Sequence, residues 1–226
     1  MSGVPAAAPI AVPDHLVVAA HTLDAGIAWC EATLGVRPET GGRHAAMGTH
    51  NAVLALDAGR YLEIIAVDPA APPPGRRRWF DLDTADVQEA IEATPRLVHW
   101  VARTGDIAAG VAALRSAGHD VGAPFAAERP SPARLLRWRI SLTDDGRRPA
   151  GGAVPLLIAW GTAHPCDALP DRGVTLESIV VGGLAPGLAE RLGVAAGGIG
   201  APALAVTRST PNGRVERVGV EAGRKA

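Results

Sequence analysis

Asp14-His15-Leu16-Val17-Val18-Ala19-Ala20 returns 84 positions later as Val98-His99-Trp100-Val101-Ala102-Arg103-Thr104, and this echo decides how the chain is read. The same offset carries Leu23, Ile27 and Cys30 onto Ile107, Val111 and Leu114. A strand opening on a histidine, followed by a helix with matching apolar spacing, is written twice.

Working outward, Leu16 to Ala20 reads as a buried strand, and Thr22 caps a helix whose apolar stripe is Leu23, Ile27, Cys30 and Leu34, stopped by Gly35. Gly41 to Asn51, with three glycines and the two histidines His44 and His50, reads as a polar loop or ragged edge strand suited to lining a site. Ala52 to Leu56 and Arg60 to Val67 are strands joined across Asp57-Ala58-Gly59. In the second of these, Tyr61, Glu63 and Ile65 share one face, so Glu63 is a carboxylate in the middle of an apolar strand. An ionised group there is costly unless it is paired, coordinated or exposed at an edge; Arg43 and Arg103 are candidate partners.

The proline-rich run from 68 to 78 makes a linker, Trp79-Phe80 re-anchors the chain, and a short helix over 84–93 leads into the second unit. That unit has a helix capped at Thr104 or Asp106, a strand over 135–142 and a last strand over 154–161. The offset between last strands grows from 84 to 96, an insertion of a dozen residues. A third, abbreviated strand-helix-strand-strand unit follows, with a turn at Asn212-Gly213. The expected organisation is a frayed N-terminus (1–12), a first βαβββ module (13–68), a linker with a short helix (69–95), a second βαβββ module (96–168) and a partial third module (169–222).

Composition narrows the function classes. With 47% apolar residues in 226, the chain can bury a core. Its 22 basic and 23 acidic residues leave a net charge of -1, so no general field draws it to nucleic acid or anionic lipid. Two cysteines exclude a disulfide framework or a four-cysteine zinc site. The start lacks a basic signal-peptide region and no apolar run nears ~20 residues, so no membrane segment is expected and the cytoplasm is the expected location. The expected partner is a small molecule.

Paired through a pseudo-twofold axis, the two modules would enclose a cavity into which His15, Glu63 and His99 point. With Asp14-His15-Leu16-Val17-Val18-Ala19, Gly42-Arg43-His44, Gly48-Thr49-His50-Asn51, Tyr61-Leu62-Glu63-Ile64, Arg78-Trp79-Phe80, Leu135 to Arg139 and Pro155 to Pro165, the chain resembles the vicinal oxygen chelate superfamily, more closely its glyoxalase-like members. The resemblance runs from about residue 13 to about 170. It implies an α+β fold of paired βαβββ modules, here with a smaller third βαββ unit. It also implies a metal site with His15, Glu63 and His99 as ligands to zinc, nickel, manganese or iron. The fourth ligand position falls near Ile158-Ala159, where neither side chain can bind an ion.

Three functional readings stay open at this point. In the first, a divalent ion on His15, Glu63 and His99 polarises a small oxygenated metabolite, as a lyase or isomerase would, or binds iron as a dioxygenase would. His50 or His44 then handles protons, while Asn51, Arg43 and Arg137 bind substrate. In the second, the cavity captures a small molecule without a metal. The third is a scaffold whose repeat builds a homodimer interface.

Overall fold

The computed structural model describes residues 8–57, 59–131, 134–198, 204–211 and 215–220. Residues 1–7, Ala58 in the first hairpin connection and the Asn212-Gly213 turn lie outside the described residues. The first module consists of β1 (Val12–Ala19), α1 (Leu23–Leu34), β2 (Glu39–His44), β3 (Thr49–Ala55) and β4 (Tyr61–Val67). After α2 (Ala85–Ala93), the second consists of β5 (Arg96–Arg103), α3 (Ile107–Ser116), β6 (Ala123–Pro130), β7 (Leu135–Leu142) and β8 (Leu156–Trp160). The third unit contains β9 (Thr175–Val181), α4 (Pro186–Arg191), β10 (Ala195–Ala196), β11 (Leu204–Ser209) and β12 (Val215–Val220).

The first eight strands form one sheet in the order β2-β3-β4-β1-β5-β8-β7-β6, which reads symmetrically about its centre. The two modules join there, β1 antiparallel to β5, while β1 runs parallel to β4 and β5 parallel to β8. The sheet curves until its edge strands β2 and β6 approach each other. The third unit is a separate sheet of order β10-β9-β11-β12. The two-residue strand β10 is too short to leave a periodic signal in the sequence.

Alternation along β1 explains the layering. Leu16 and Val18 face an outer core with Cys30 and Leu34 of α1 and Ile107 and Leu114 of α3, whereas Val17 and Ala19 face an inner core with Ile65, Val101 and Ile158. Both faces are covered, so β4 reads as an unbroken apolar run around its one glutamate. Leu176, Ile179, Leu188 and Leu192 of the third unit join the outer core, which is how that small unit finds a hydrophobic partner.

The repeat reaches further than the apolar stripes. A Cβ on Gly26 of α1 would lie 2.4 Å from Cγ2 of Ile64 on β4, and a Cβ on Gly110 of α3 would lie 2.7 Å from Cδ1 of Leu157 on β8. Gly110 is Gly26 plus 84, so each helix meets the last strand of its own module through an equivalent glycine. The expected caps form: Thr22 Oγ1 accepts from Ala25 N, and Asp106 Oδ1 accepts from the Ala108 and Ala109 amides.

Of the two readings of Gly41 to Asn51, loop or ragged edge strand, the second holds: the stretch is the end of the edge strand β2, a tight turn and the start of β3. One expectation changes. The chain is engaged before residue 12: Ile10 and Ala11 are buried, and the Ile10 amide donates to the Arg191 carbonyl at 2.8 Å. No helix among the described residues is long and apolar enough to cross a membrane.

Candidate functional site

On the inner face, β1 delivers His15 and β4 delivers Glu63, two residues apart in a parallel register that pairs His15 with Tyr61 and Val17 with Glu63. His15 Nε2 faces Glu63 Oε2 at 3.8 Å, and both side chains are buried. The other carboxylate oxygen, Oε1, accepts a 2.6 Å hydrogen bond from Asn51 Nδ2 on β3 and lies 3.9 Å from His44 Nε2 on β2. All four strands of the first module therefore contribute one polar side chain to a single cluster.

Each member is held from behind. Asp14, fully buried, accepts from His15 Nδ1 at 2.7 Å, from His164 Nε2 at 3.1 Å and from the Trp160 indole N–H. Burial alone would raise the Asp14 carboxyl, but the hydrogen bonds from His15 and His164 outweigh it and hold the group at about 2. A carboxylate on Nδ1 leaves Nε2 as the working atom of His15. His44 Nδ1 bonds to Thr49 Oγ1 at 3.0 Å. Burial, with Arg129 and His15 nearby, pushes His44 down to about 3, so its ring is neutral. Tyr61 stacks on His15 with ring centroids 4.5 Å apart, and burial pushes its phenol well above the usual range.

The neighbouring arginines leave Glu63 without a guanidinium. Arg43 points outward to Asp68, and Arg103 bonds to the Gly59 carbonyl and lies 3.9 Å from Asp14. The second module instead closes the cavity with bulk: Trp138, Ile140, Ile158 and Trp160 line it, together with Trp79 and Phe80 from the connecting segment. Trp79 meets the His44 ring edge-on, centroids 5.1 Å apart. Phe80 and Asp81 adopt positive φ, 61° and 58°, a strained turn held by a 2.8 Å bond from Arg148 Nε to Asp81 Oδ2. The central space open to water centres is about 20 Å³, room for roughly one water.

The expected ligand set does not assemble. His99 shares the inner face but is absent from the cavity lining; its Nε2 accepts the Leu156 amide at 3.2 Å, and its ring packs on Phe80. Burial, then Arg148 and His15, push its titration well below the usual histidine range. Among the described residues, no three His, Cys, Asp or Glu side chains converge as ligands to one ion. The fourth position moves: Leu156 stands opposite Val101 as Glu63 stands opposite Val17, so the last strands are offset by 93 and not 96, and the counterpart of Glu63 is a buried leucine, with Ile158 presenting hydrocarbon to the cavity.

Of the other sequence candidates, His44 and Asn51 stand in the cluster. His50 does not: neighbours in a strand face opposite ways, and it lies with His21, Asp24 and Arg78 on the other side of the sheet. Arg43 is exposed on its Asp68 partner. Arg137 is also outside, because Leu136 and Trp138 take the inner face of β7 while Arg137 bonds to Glu128 in solvent. Sequence reasoning missed Asp14, although it stands beside His15, and it missed Arg129. His164 anchors a loop, with Cys166 N donating to its Nδ1. It also supports Asp14.

Comparisons with known proteins fit this architecture. No curated protein matches the sequence. Among solved structures, a hypothetical protein from Staphylococcus aureus superposes with a TM-score of 0.56 at 16% identity, covering 92% of this chain and 86% of that one. Methylmalonyl-CoA epimerase from Mycobacterium tuberculosis gives 0.44 at 21% identity, over 72% of this chain and 95% of that one. The Streptomyces coelicolor epimerase in complex with 2-nitronate-propionyl-CoA gives 0.41 at 18%, over 67% and 96%. The family model described as a glyoxalase-like domain matches residues 14–195, which takes in both modules and the start of the third unit. The chain belongs to the glyoxalase-like domain family of the vicinal oxygen chelate superfamily.

Proposed function

We propose that this chain is an enzyme that moves a proton at a carbon beside the carbonyl of a small oxygenated metabolite, an isomerase or lyase reaction, with His15 and Glu63 handling the proton. One observation carries the reading: two acceptors, His15 Nε2 and Glu63 Oε2, face each other across 3.8 Å in a buried, aromatic-lined space. That separation is too long for a hydrogen bond between them and suits a proton that belongs to a third party. One acceptor takes the C–H proton as its electron pair moves into the carbonyl to give an enolate. The proton then returns to a different position or face, or a leaving group departs from the neighbouring carbon with the electron pair. Asn51 keeps Glu63 in place through Oε1, and Asp14 keeps Nε2 of His15 turned toward the substrate. The scant room for water limits loss of the enolate.

Metal-dependent lyase, isomerase or dioxygenase chemistry on His15, Glu63 and His99 finds no support in the ligand geometry, because His99 is engaged by Leu156. A second reading, capture of a small molecule without turnover, draws on the adjoining groove of about 680 Å³ that shares Arg129 with the cavity, since the ring-lined cavity itself has room for roughly one water. Deuterium exchange separates the two. A panel of small 2-oxo acids, their amides and hydroxyketones in D2O is expected to lose C–H signal by proton NMR with wild-type protein. Glu63→Gln, which keeps the Asn51 contact but no base, is expected to slow exchange by about 10²- to 10⁴-fold. Binding without exchange in the wild type would favour the capture reading.

A further inference from the structure

Two donors around this cavity are poorly met by the protein itself. Arg129, near the end of β6, is only 4% exposed, yet its guanidinium makes a single long hydrogen bond, 3.4 Å from Nη1 to the Pro130 carbonyl. No carboxylate pairs with it among the described residues. Trp79, another lining residue, is 3% exposed and its indole Nε1 has no acceptor. A buried guanidinium is costly unless its charge is met, and an indole N–H in an apolar wall normally finds an oxygen.

The fold makes room for Arg129. A Cβ on Gly42 of β2 would sit 2.8 Å from the Pro130 carbonyl and 3.1 Å from Arg129 Nη1; a Cβ on Gly41 would strike Asn51 Oδ1. The glycine pair lets the two sheet edges approach with both Asn51 and the arginine packed beneath. Arg129 is shared between the cavity of His15 and Glu63 and an adjoining groove of about 680 Å³. In that groove the other arginines are already matched, Arg134 with Asp167 and Arg172 with Glu39.

Building on the proton-transfer reading, we propose that Arg129 seats a carboxylate of the substrate, with the Trp79 indole as a second donor, so that the substrate is a small oxo acid. Its carboxyl group lies at the junction of groove and cavity, reached from the 680 Å³ groove; the space beside His15 and Glu63 holds roughly one water in this closed form, so the reacting carbon reaches them as the wall of Trp79, Trp138 and Trp160 gives way. The guanidinium fork matches a carboxylate through two parallel bonds. A monoanion is favoured over a phosphate dianion because the lining holds one buried guanidinium and one carboxylate, Glu63. A dianion would add repulsion against Glu63 that one arginine does not cancel.

Binding, rather than turnover, tests this. 2-Oxobutanoate, 2-oxobutanamide and inorganic phosphate are titrated into wild type, Glu63→Gln, Arg129→Met and Arg129→Lys, followed by ligand-detected NMR and calorimetry, with thermal melts of each variant. The oxo acid is expected to bind Glu63→Gln at least as tightly as wild type, because a like charge is removed, and Arg129→Met on the order of 10- to 100-fold more weakly than wild type. Arg129→Lys is expected to fall between, and the amide to bind all four weakly and equally. The melting temperature of Arg129→Met is expected to hold or rise, since an unmatched charge is removed. Equal binding of the oxo acid to Arg129→Met, or none to wild type, overturns the proposal. Tighter binding of phosphate than of the oxo acid overturns the carboxylate assignment. Loss of thermal stability in both Arg129 variants makes the arginine structural and also overturns it. Arg129-dependent binding without deuterium exchange leaves the carboxylate seat standing and sinks only the proton-transfer reading.

Discussion

The two modules share a fold but not a chemistry, and their first histidines show why. Behind His15 stands Asp14, which occupies Nδ1 and leaves Nε2 facing Glu63; the position 84 residues on is Val98, and His99 spends its Nε2 on the Leu156 amide instead. The last strand faces the cavity with Tyr61 and Glu63 in the first module and with Ile158 and Trp160 in the second, where the counterpart of Glu63 is the buried Leu156. Duplication supplies the curved sheet. The divergence of a few inward side chains turns one half into a polar cluster and the other into a largely apolar cover that carries one buried arginine, Arg129.

The comparison can be strained first with acid. His44 in the first module and His99 in the second are both held neutral by burial, with folded titration points below the usual 6.5. The unfolded chain therefore takes up protons first: stability is full above about pH 6.5 and is lost as the pH falls toward about 3. Asp14, held at about 2 against an unfolded 3.8, adds a later loss between those values of about 2 kcal/mol. Urea unfolding from pH 8 to pH 3 should show several kcal/mol of acid loss, reduced in His44→Phe and in His99→Gln separately. A flat profile would mean that these rings are not held neutral.

A smaller effect probes what the halves have in common. Gly26→Ala and Gly110→Ala each force a methyl against the last strand of their own module, at Ile64 and Leu157. Each should cost about 1–3 kcal/mol in chemical denaturation, and the costs should be similar. A marked inequality would show that the outer layers have diverged as much as the inner ones.

What could be read from the chain follows the same division. Apolar stripes and the 84-residue echo are local or periodic signals, so the strands, helices and module pairing were legible in them. Glu63 was legible too, because a carboxylate in an apolar strand breaks a period-two pattern. The equivalence of His15 and His99 misled, since a shared offset records ancestry and says nothing of what occupies the second ring nitrogen. Arg137 misled because a strand with one wet face does not say which face is wet. Arg129 was hidden because Glu128-Arg129-Pro130 carries no apolar period, and its burial depends on Gly42 from the opposite edge of the sheet.

The most direct test of the central claim, that proton transfer belongs to the first module and not to a site shared by the two repeat histidines, is the deuterium-exchange rate of His15→Gln set beside that of His99→Gln. A loss of at least about 10²-fold is expected at position 15, and a rate within about twofold of wild type at position 99 for the folded fraction. Equal losses at both positions, restored together by added zinc, nickel, manganese or iron(II), would contradict it, because only a site shared by the two histidines behaves that way.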